Sequence, residues 1–186
     1  MKQEELNIIL ENHEKWLRDE GGERADLSFA NLRHINLSGA DLRCANLRHI
    51  NLSDAYLRCA DLSDANLSDA DSRHANLSEA DLRYANLRYA NLSEADLRHT
   101  DLTDAVLTWV NWQDVRGLTV VAVQVDTTRK NNQITYIKEL DIWITGCFQG
   151  TLDELKAAIE TTHKNNEKLR KRYYRVIDFI LTEVAE

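Results

Sequence analysis

The apolar positions of this chain recur every five residues across residues 25–114. The segment divides into 18 consecutive pentads, and 16 of them carry Leu at the third position, with Ser72 and Trp112 as the exceptions. Ala occupies the first position of 14 pentads, and Asp or Asn occupies the second position everywhere except at Tyr56 and Val106. The fourth position holds Ser, Thr, Arg or Gln, and the fifth position varies. The repeat is therefore continuous and covers about half of the chain.

A period of five fits neither a helix nor a continuous strand. In an α-helix, five residues rotate the side chain by about 500°, so the leucines would spiral around every side instead of forming a stripe. In a strand, an odd spacing would send successive leucines to opposite faces. A short extended Ala-x-Leu piece followed by a corner does fit, because every Ala and Leu then points toward a shared axis. The pattern predicts a β-solenoid.

Strings such as ADLRCANLRHINLS and ANLSEADLRYANL resemble the pentapeptide-repeat family, whose pattern is A(D/N)LXX. The resemblance covers 90 of 186 residues. It implies a mainly β fold, a right-handed quadrilateral β-helix of about 4.5 coils with four pentads in each. Residues 33–68 and 73–108 support this period, because they align at an offset of 40 with 24 identities in 36 positions. Ser72 would then face the core between Leu52 and Leu92, marking a small cavity or a buried water.

Residues 1–24 are expected to cap the open end of the β-helix. Within residues 2–19, apolar side chains recur at spacings of three and four, which predicts a helix with one apolar stripe. The stripe comprises Leu6, Ile9, Leu10, His13 and Leu17. Gly21 and Gly22 would end this helix just before the first pentad. Its stripe would cover strand edges that otherwise recruit other chains.

Residues 115–186 predict a small C-terminal α+β module, in which strands precede a helix. The strands are expected at 118–125, 133–138 and 141–145, with a turn at 126–132. A capping box from Thr151 to Glu154 opens the helix, and residues 164–166 either interrupt it or continue it. The strings GCFQGTLDE and HKNNEKL resemble the C-terminal part of pentapeptide proteins from phages and prophages.

Composition narrows the functional classes. The net charge of −8 argues against general affinity for nucleic acid or for an anionic membrane. No stretch has the length and apolar character of a signal peptide or a membrane span. Three cysteines in a chain without an export signal favour the reducing cytoplasm. Residues 25–114 carry 14 acidic side chains against 8 arginines, a net charge of −6.

A coil of four pentads would align outward side chains in columns. One column contains His34, Asp54, His74, Glu94 and Asp114, and another contains Phe29, His49, Asp69, Tyr89 and Trp109. The first column has side chains that can bind a metal. Outward residues one coil apart more often form weak surface ion pairs, so we expect no metal site. Cys44 and Cys59 would lie on adjacent sides of the coil, so neither a disulfide nor a zinc site is expected.

Two features of the C-terminal module allow a chemical role. Cys147 and His163 permit a Cys–His nucleophile hypothesis. No orienting motif accompanies them, so we expect a buried cysteine, a histidine at the surface of a helix or half-buried there, no catalytic residue and no cofactor. The basic run 168–175 is compatible with phosphate binding. Because residues 115–186 carry 11 basic and 10 acidic groups, we interpret the run as a solvated helix face.

These observations predict a non-enzymatic binding or scaffold protein that presents a rigid, charged β-helix surface to a protein partner. A homodimer through the long amphipathic C-terminal helix is a further hypothesis. The alternative is a DNA-mimic modulator of DNA gyrase, because family members associated with quinolone resistance are similar to duplex DNA in width and charge. This chain resembles those members in its repeat pattern. It departs from them in its dispersed arginines, its short solenoid and the lack of a large loop within the repeats.

Overall fold

The structure is a computed structural model that describes residues 1–125 and 133–184. The turn predicted at 126–132 lies outside the described residues. The chain divides into two compact units, Met1–Gly117 and Leu118–Glu186. In the described part of the chain, no helix combines the length and apolar character needed to cross a membrane.

The first unit is a β-helix whose strands are held by parallel bridges. Each bridge joins a residue to the one 20 positions later, from Asp26↔Asn46 to Asp96↔Arg116. That offset equals four pentads, so each coil has four sides, as the sequence predicts. The ladder continues two residues past the predicted end, because Arg116 takes the second position of one further partial pentad. The leucines point inward, and Leu42 in the first coil has 0% of its surface exposed.

The hydrogen bonds of one pentad explain why Asp or Asn recurs at its second position. In the pentad 60–64, the second residue donates its N–H to the preceding coil, and the third and fifth residues donate theirs to the following coil, at 2.8–3.0 Å. The first residue donates to the carbonyl three residues earlier at 3.1 Å, which closes the corner. The remaining N–H belongs to Ser63, which donates to Oδ1 of Asp61 at 3.0 Å. The Asx side chain thus accepts the one N–H that no backbone carbonyl reaches.

The corners impose a constraint that the sequence analysis missed. Every fifth position of the repeat has a positive φ, between 54° and 69°, and Gly39 is the only glycine among them. Together with the hydrogen bond that closes each corner, this is the conformation of the third residue of a type II turn. The fifth position is therefore not free to vary. No Val, Ile or Thr occurs there, as expected for residues whose branched side chains disfavour the left-handed region.

Helix α1, Gln3–Leu17, packs on the first coil. Leu6 and His13 of its apolar stripe are fully buried. Nδ1 of His13 accepts the N–H of Ala25 at 3.1 Å, a group that in most later pentads donates to a preceding Leu carbonyl. Gly22 lets the chain return to the coil, because a Cβ there would lie 2.2 Å from the carbonyl oxygen of Asn12. The predicted capping contact is thus present in the structure.

The second unit contains a four-stranded antiparallel sheet and two α-helices among its described residues. The strands pair in chain order and are β1 Val120–Gln124, β2 Gln133–Ile137, β3 Ile142–Thr145 and β4 Phe148–Gly150. A short 3₁₀ helix, Lys138–Leu140, joins β2 to β3. Strand β4 was not predicted. It is very short and follows a tight turn, so it cannot show an alternating pattern.

Two helices follow the sheet, α2 Leu152–Thr162 and α3 Glu167–Glu183. The predicted capping box is confirmed, because Thr151 Oγ1 accepts the N–H of Glu154 at 3.3 Å and Glu154 accepts the N–H of Thr151 at 2.8 Å. The open question at 164–166 is resolved in favour of two helices, with Asn166 capping the second through the N–H of Leu169. Apolar side chains of the strands and both helices form one core, which comprises Val125, Ile134, Tyr136, Trp143, Leu155, Ile159, Tyr173, Ile177 and Ile180.

Candidate functional site

Charge is distributed unevenly over the four sides of the β-helix. We number the faces in chain order, so that faces 1 to 4 begin with the pentads 25–29, 30–34, 35–39 and 40–44. Every later pentad belongs to the same face as the pentad 20 residues before it. Over residues 25–114, faces 1 and 3 each hold two acids and two arginines. Face 2 holds four acids and two arginines, and face 4 holds six aspartates and two arginines. Face 4 therefore carries −4 of the net −6.

The acidity of face 4 comes from two columns of aspartates. Asp occupies the second position in every pentad of this face, and consecutive members are joined by backbone bridges. This column contains Asp41, Asp61, Asp81 and Asp101. Asp64 and Asp104 add two carboxylates at the fifth position. Neighbouring members of a column are one coil apart, about 4.8 Å, which concentrates negative potential along one side of the β-helix.

Two arginines of face 4 neutralise part of this charge. Arg43 donates to both carboxylate oxygens of Asp41, at 2.8 and 2.7 Å. Arg83 binds Asp81 in the same bidentate way, with a shortest distance of 2.5 Å. These hydrogen bonds hold the pKa of both carboxyl groups below the ordinary value. Asp64 makes no ion pair with any described residue, so the arginines leave an acidic surface.

The column that begins at His34 forms the expected alternating pairs on face 2. His34 Nδ1 lies 3.9 Å from Asp54, and His74 Nδ1 lies 3.3 Å from Glu94. Arg33 also binds Asp54, at 3.1 Å. Within residues 1–125 and 133–184, no group of three or more His, Cys, Asp or Glu side chains could hold a metal ion. The geometry of this column is that of surface ion pairs.

The column that begins at Phe29 forms ring contacts on face 1. Phe29 stacks on His49 with ring centroids 4.7 Å apart, and Tyr89 stacks on Trp109 at 6.1 Å. The guanidinium of Arg88 lies 5.1 Å from the Tyr89 ring centre. The aromatic side chains of this face therefore stack between neighbouring coils, along the axis of the β-helix.

Cys59 does not have the environment of an activated nucleophile. Cys59 Sγ lies 3.4 Å from a carboxylate oxygen of Glu79, and this hydrogen bond raises the pKa of the thiol. A raised pKa lowers the thiolate fraction at neutral pH. The three cysteines, Cys44, Cys59 and Cys147, are free thiols.

The two residues of the hypothetical Cys–His pair lie on different elements. Cys147 is exposed in the turn between β3 and β4, which differs from the buried position expected from the sequence, because the turn points it away from the core. His163 ends α2, and its ring stacks on Tyr173 at a centroid distance of 5.1 Å. The ring of His163 is thus packed on a tyrosine of α3, and it makes no hydrogen bond with residues 1–125 or 133–184 of the kind that orients a catalytic base.

The basic run lies on the outward side of α3. Lys168, Lys171 and Arg175 are exposed and recur at spacings of three and four, so they share one side of the helix. Arg170 points elsewhere and binds Glu160 at 2.9 Å. Most of the apolar stripe that prompted the homodimer hypothesis is buried in the core of the second unit, as Ile177 illustrates with 0% exposure. Phe179 and Leu181 of the same helix remain 50% and 38% exposed, so both apolar and polar side chains of α3 are available for dimerisation.

The comparisons with known proteins concern the repeat segment. The sequence profile of the family described as pentapeptide repeats matches in eight copies, over residues 23–58, 45–71, 55–88 and 75–111. No curated protein matches the chain.

Several solved structures are similar to part of the chain. HetL, a pentapeptide repeat protein involved in heterocyst differentiation regulation in the cyanobacterium Nostoc, is 38% identical over 49% of this chain and 46% of its own, with a TM-score of 0.39. A pentapeptide repeat protein of the Arabidopsis thaliana thylakoid lumen is 32% identical over 50% and 68%, with a TM-score of 0.32. QnrB1, a plasmid-mediated fluoroquinolone resistance protein, is 22% identical over 54% and 59%, with a TM-score of 0.34. The match thus spans less than half of the length of HetL.

Proposed function

Because this chain belongs to the pentapeptide-repeat family through its repeat segment, we propose that it is a non-enzymatic scaffold whose β-helix presents a rigid, charged surface to a protein partner. Family membership implies the right-handed quadrilateral β-helix expected from the sequence. The observation that carries the proposal is the uneven charge of the four faces, with six aspartates against two arginines on face 4. A partner with a basic surface would be recognised by that face.

The backbone of the β-helix supports this role. In an inner pentad, three N–H groups bond to neighbouring coils, one closes the corner and one is held by the Asx side chain. The outward side chains are therefore attached to a backbone whose conformation is already fixed by hydrogen bonds. Binding through such a preorganised surface costs less conformational entropy than binding through a loop.

The test compares capture of partners from a lysate of the native host by wild type and by two charge variants. The face-4 variant carries Asp61→Asn, Asp64→Asn, Asp101→Asn and Asp104→Asn. Asn keeps the Oδ1 acceptor at the second position and is the residue that other faces use there. The matched face-2 variant carries Asp54→Asn, Asp71→Asn, Glu94→Gln and Asp114→Asn, and so removes the same charge elsewhere.

We expect a specific partner to be captured by wild type and by the face-2 variant, and lost with the face-4 variant. Equal capture by all three proteins would show that face 4 is not the binding surface. Capture of nothing by wild type, at bait concentrations far above that of host proteins, would contradict the scaffold proposal itself.

A second candidate function is modulation of DNA gyrase by mimicry of DNA. The regular aspartate column on face 4 favours it, since carboxylates at even spacing along a rigid rod present negative charge as a DNA backbone does. The measurement is gyrase supercoiling with added wild type or face-4 variant. Inhibition by wild type that the face-4 variant lacks would support the candidate, and unaffected supercoiling at micromolar protein would remove it.

Three finer features belong to the same proposal. The cytoplasmic location is supported by three free cysteines. The phage or prophage origin is supported by the resemblance of the strings GCFQGTLDE and HKNNEKL alone. The absence of enzymatic activity is supported by the raised pKa of Cys59 and by the stacking of the His163 ring on Tyr173. Each of these features stays a prediction.

A further inference from the structure

The polar side of α3 carries more basic than acidic side chains, because Lys168, Lys171 and Arg175 share it with Glu167 and Asp178. Lys168, Lys171 and Arg175 are exposed along its first three turns. Lys171 pairs with Glu167 at 2.6 Å, whereas Lys168 and Arg175 take part in no ion pair of the described residues. The exposed basic side chain of Lys164 precedes the helix. The basic ends of these side chains point away from the apolar core that holds α3 on the sheet.

Face 4 of the β-helix is the complementary surface. Its column of aspartates extends over four coils, so that Asp41 and Asp101 lie three coil spacings apart, about 14 Å. From Lys168 to Arg175, α3 rises about 10 Å, in steps of about 4.5 Å to Lys171 and about 6 Å to Arg175. The two spacings are close enough for long, flexible lysine and arginine side chains to reach successive carboxylates.

We infer that face 4 of one copy of this chain binds the basic side of α3 of a second copy, the basic surface consisting of Lys168, Lys171 and Arg175. The inference rests on the proposed function and names both the face and the partner. Charge complementarity supports the inference, because every molecule has one acidic face 4 and one basic side of α3. Other basic proteins would compete for the same face.

The symmetry of this contact makes a distinctive prediction. The two surfaces differ, so the contact is heterologous and each copy keeps one free acidic face and one free basic helix. Association would therefore continue past the dimer and form chains or closed rings. Because the contact is between exposed charges, it would weaken as salt shortens the range of electrostatic attraction.

The experiment uses purified full-length protein and light scattering coupled to size-exclusion chromatography. The helix variant carries Lys168→Gln, Lys171→Gln and Arg175→Gln, which keep helix-forming side chains and remove three charges. It is compared with wild type, with the face-4 variant and with the face-2 variant, all in 50 mM and in 500 mM salt. Circular dichroism and thermal melts confirm that each variant is folded.

At low salt, wild type and the face-2 variant should associate as the protein concentration rises. The Kd for association of the face-4 variant and of the helix variant should each be higher by about tenfold or more. Mixing the face-4 variant with the helix variant should restore a 1:1 complex, because each supplies the surface that the other lacks. A mixture that stays monomeric overturns the inference, since it would mean that the surfaces do not meet in trans.

Two further outcomes also decide the question. Wild-type association that persists unchanged at 500 mM salt would contradict a contact between charged surfaces, even if a variant failed to fold. A wild type that is monomeric at all concentrations would overturn this inference alone. The scaffold proposal would be unaffected by that result. It is tested separately, by the capture of a host partner by wild type and the loss of that partner with the face-4 variant.

Discussion

Replacing Ser72 by Leu should stabilise the β-helix. Ser72 is the only residue at the third position of a pentad that is neither Leu nor Trp. It is 2% exposed and lies between Leu52 and Leu92, which are 1% and 0% exposed in the neighbouring coils. Its backbone is that of a Leu pentad, because its N–H donates to the carbonyl of Asn91 at 2.8 Å and its carbonyl accepts the N–H of Ala75. The position therefore has the geometry that accommodates Leu elsewhere.

The expected gain follows from the buried carbon that Leu adds. Leu replaces a hydroxyl by carbon and adds two methyl groups, which at ~0.8 kcal/mol for each buried group amounts to about 2.4 kcal/mol. Fixing the larger side chain costs about 0.5–1 kcal/mol of conformational entropy. We expect Ser72→Leu to raise the free energy of unfolding by about 1–2 kcal/mol. At about 2–4 °C for each kcal/mol in a protein of this size, the Tm should rise by roughly 2–8 °C.

The assay is urea unfolding followed by circular dichroism, together with a thermal melt. Ser72→Ala is the matched control, because it removes the buried hydroxyl without filling space. The Leu variant should be more stable than the Ala variant, and the difference measures the packing gain. A Tm below that of wild type for Ser72→Leu would show that neighbouring side chains already fill the site, and the void reasoning would be refuted.

Two more substitutions test the hydrogen bonds of the β-helix. Val106→Asn should supply the missing acceptor for the N–H of Thr108 and raise the free energy of unfolding by about 1 kcal/mol relative to Val106→Ala, measured by urea unfolding; no gain over the Ala variant would contradict the role assigned to the Asx side chain. Burial lowers the pKa of His13 from its ordinary value of 6.5, and protonation at Nδ1 would also remove its bond to Ala25. The contribution of His13 to the free energy of unfolding should be fully present above pH 6.5. It should decrease as the pH falls from 6.5 to the lowered pKa, because in that range the unfolded chain binds a proton at His13 and the folded chain does not. The unfolding free energy of His13→Gln should change less than that of wild type between pH 7.5 and 5, a range above the lowered pKa values of Asp41 and Asp81; an equal slope would exclude His13 as the group responsible.

The core of the β-helix could be predicted from the sequence because its constraint acts on side-chain type. Burial favours an apolar side chain at the third position, so Leu occupies it in 16 of the 18 pentads and the period of the leucines gives the corner spacing. The alignment at an offset of 40 corresponds to two coils of four pentads, and the bridges confirm that coil length. The capping helix was predictable for the same reason, since its stripe is apolar and Leu6 and His13 are buried.

The corners were missed because their constraint acts on the backbone. A positive φ excludes β-branched residues but admits His, Asp, Cys, Tyr and Glu, so the fifth position reads as variable in one sequence. The absence of Val, Ile and Thr from every corner was the available signal. Strand β4 was missed for a different reason, because it is too short to show a period.

The acidic face was missed although the sequence contains it. The offset of 20 was applied to the fifth positions, where it exposed the columns of His34 and Phe29. The same offset applied to the second positions gives an unbroken column of Asp, from Asp41 to Asp101, on only one of the four faces. At those positions Asp and Asn serve the backbone equally well, because both offer Oδ1 to the N–H two residues later.

This equivalence separates the requirements of folding from those of binding. The ladder needs an acceptor at each second position but does not require that acceptor to carry a charge, so the choice of Asp over Asn depends on other side chains, such as the arginines that bind Asp41 and Asp81 from two residues later. Asp at four successive second positions also places like charges one coil apart. Their repulsion destabilises the β-helix, and Asn at the same positions would avoid it. Arg43 and Arg83 offset that cost, because each binds the aspartate of its own pentad and also lies within 4 Å of the next aspartate in the column, Asp61 at 3.7 Å and Asp101 at 3.8 Å. Asp64 and Asp104 form no ion pair with any described residue, and the proposed cationic partner of face 4 would supply one.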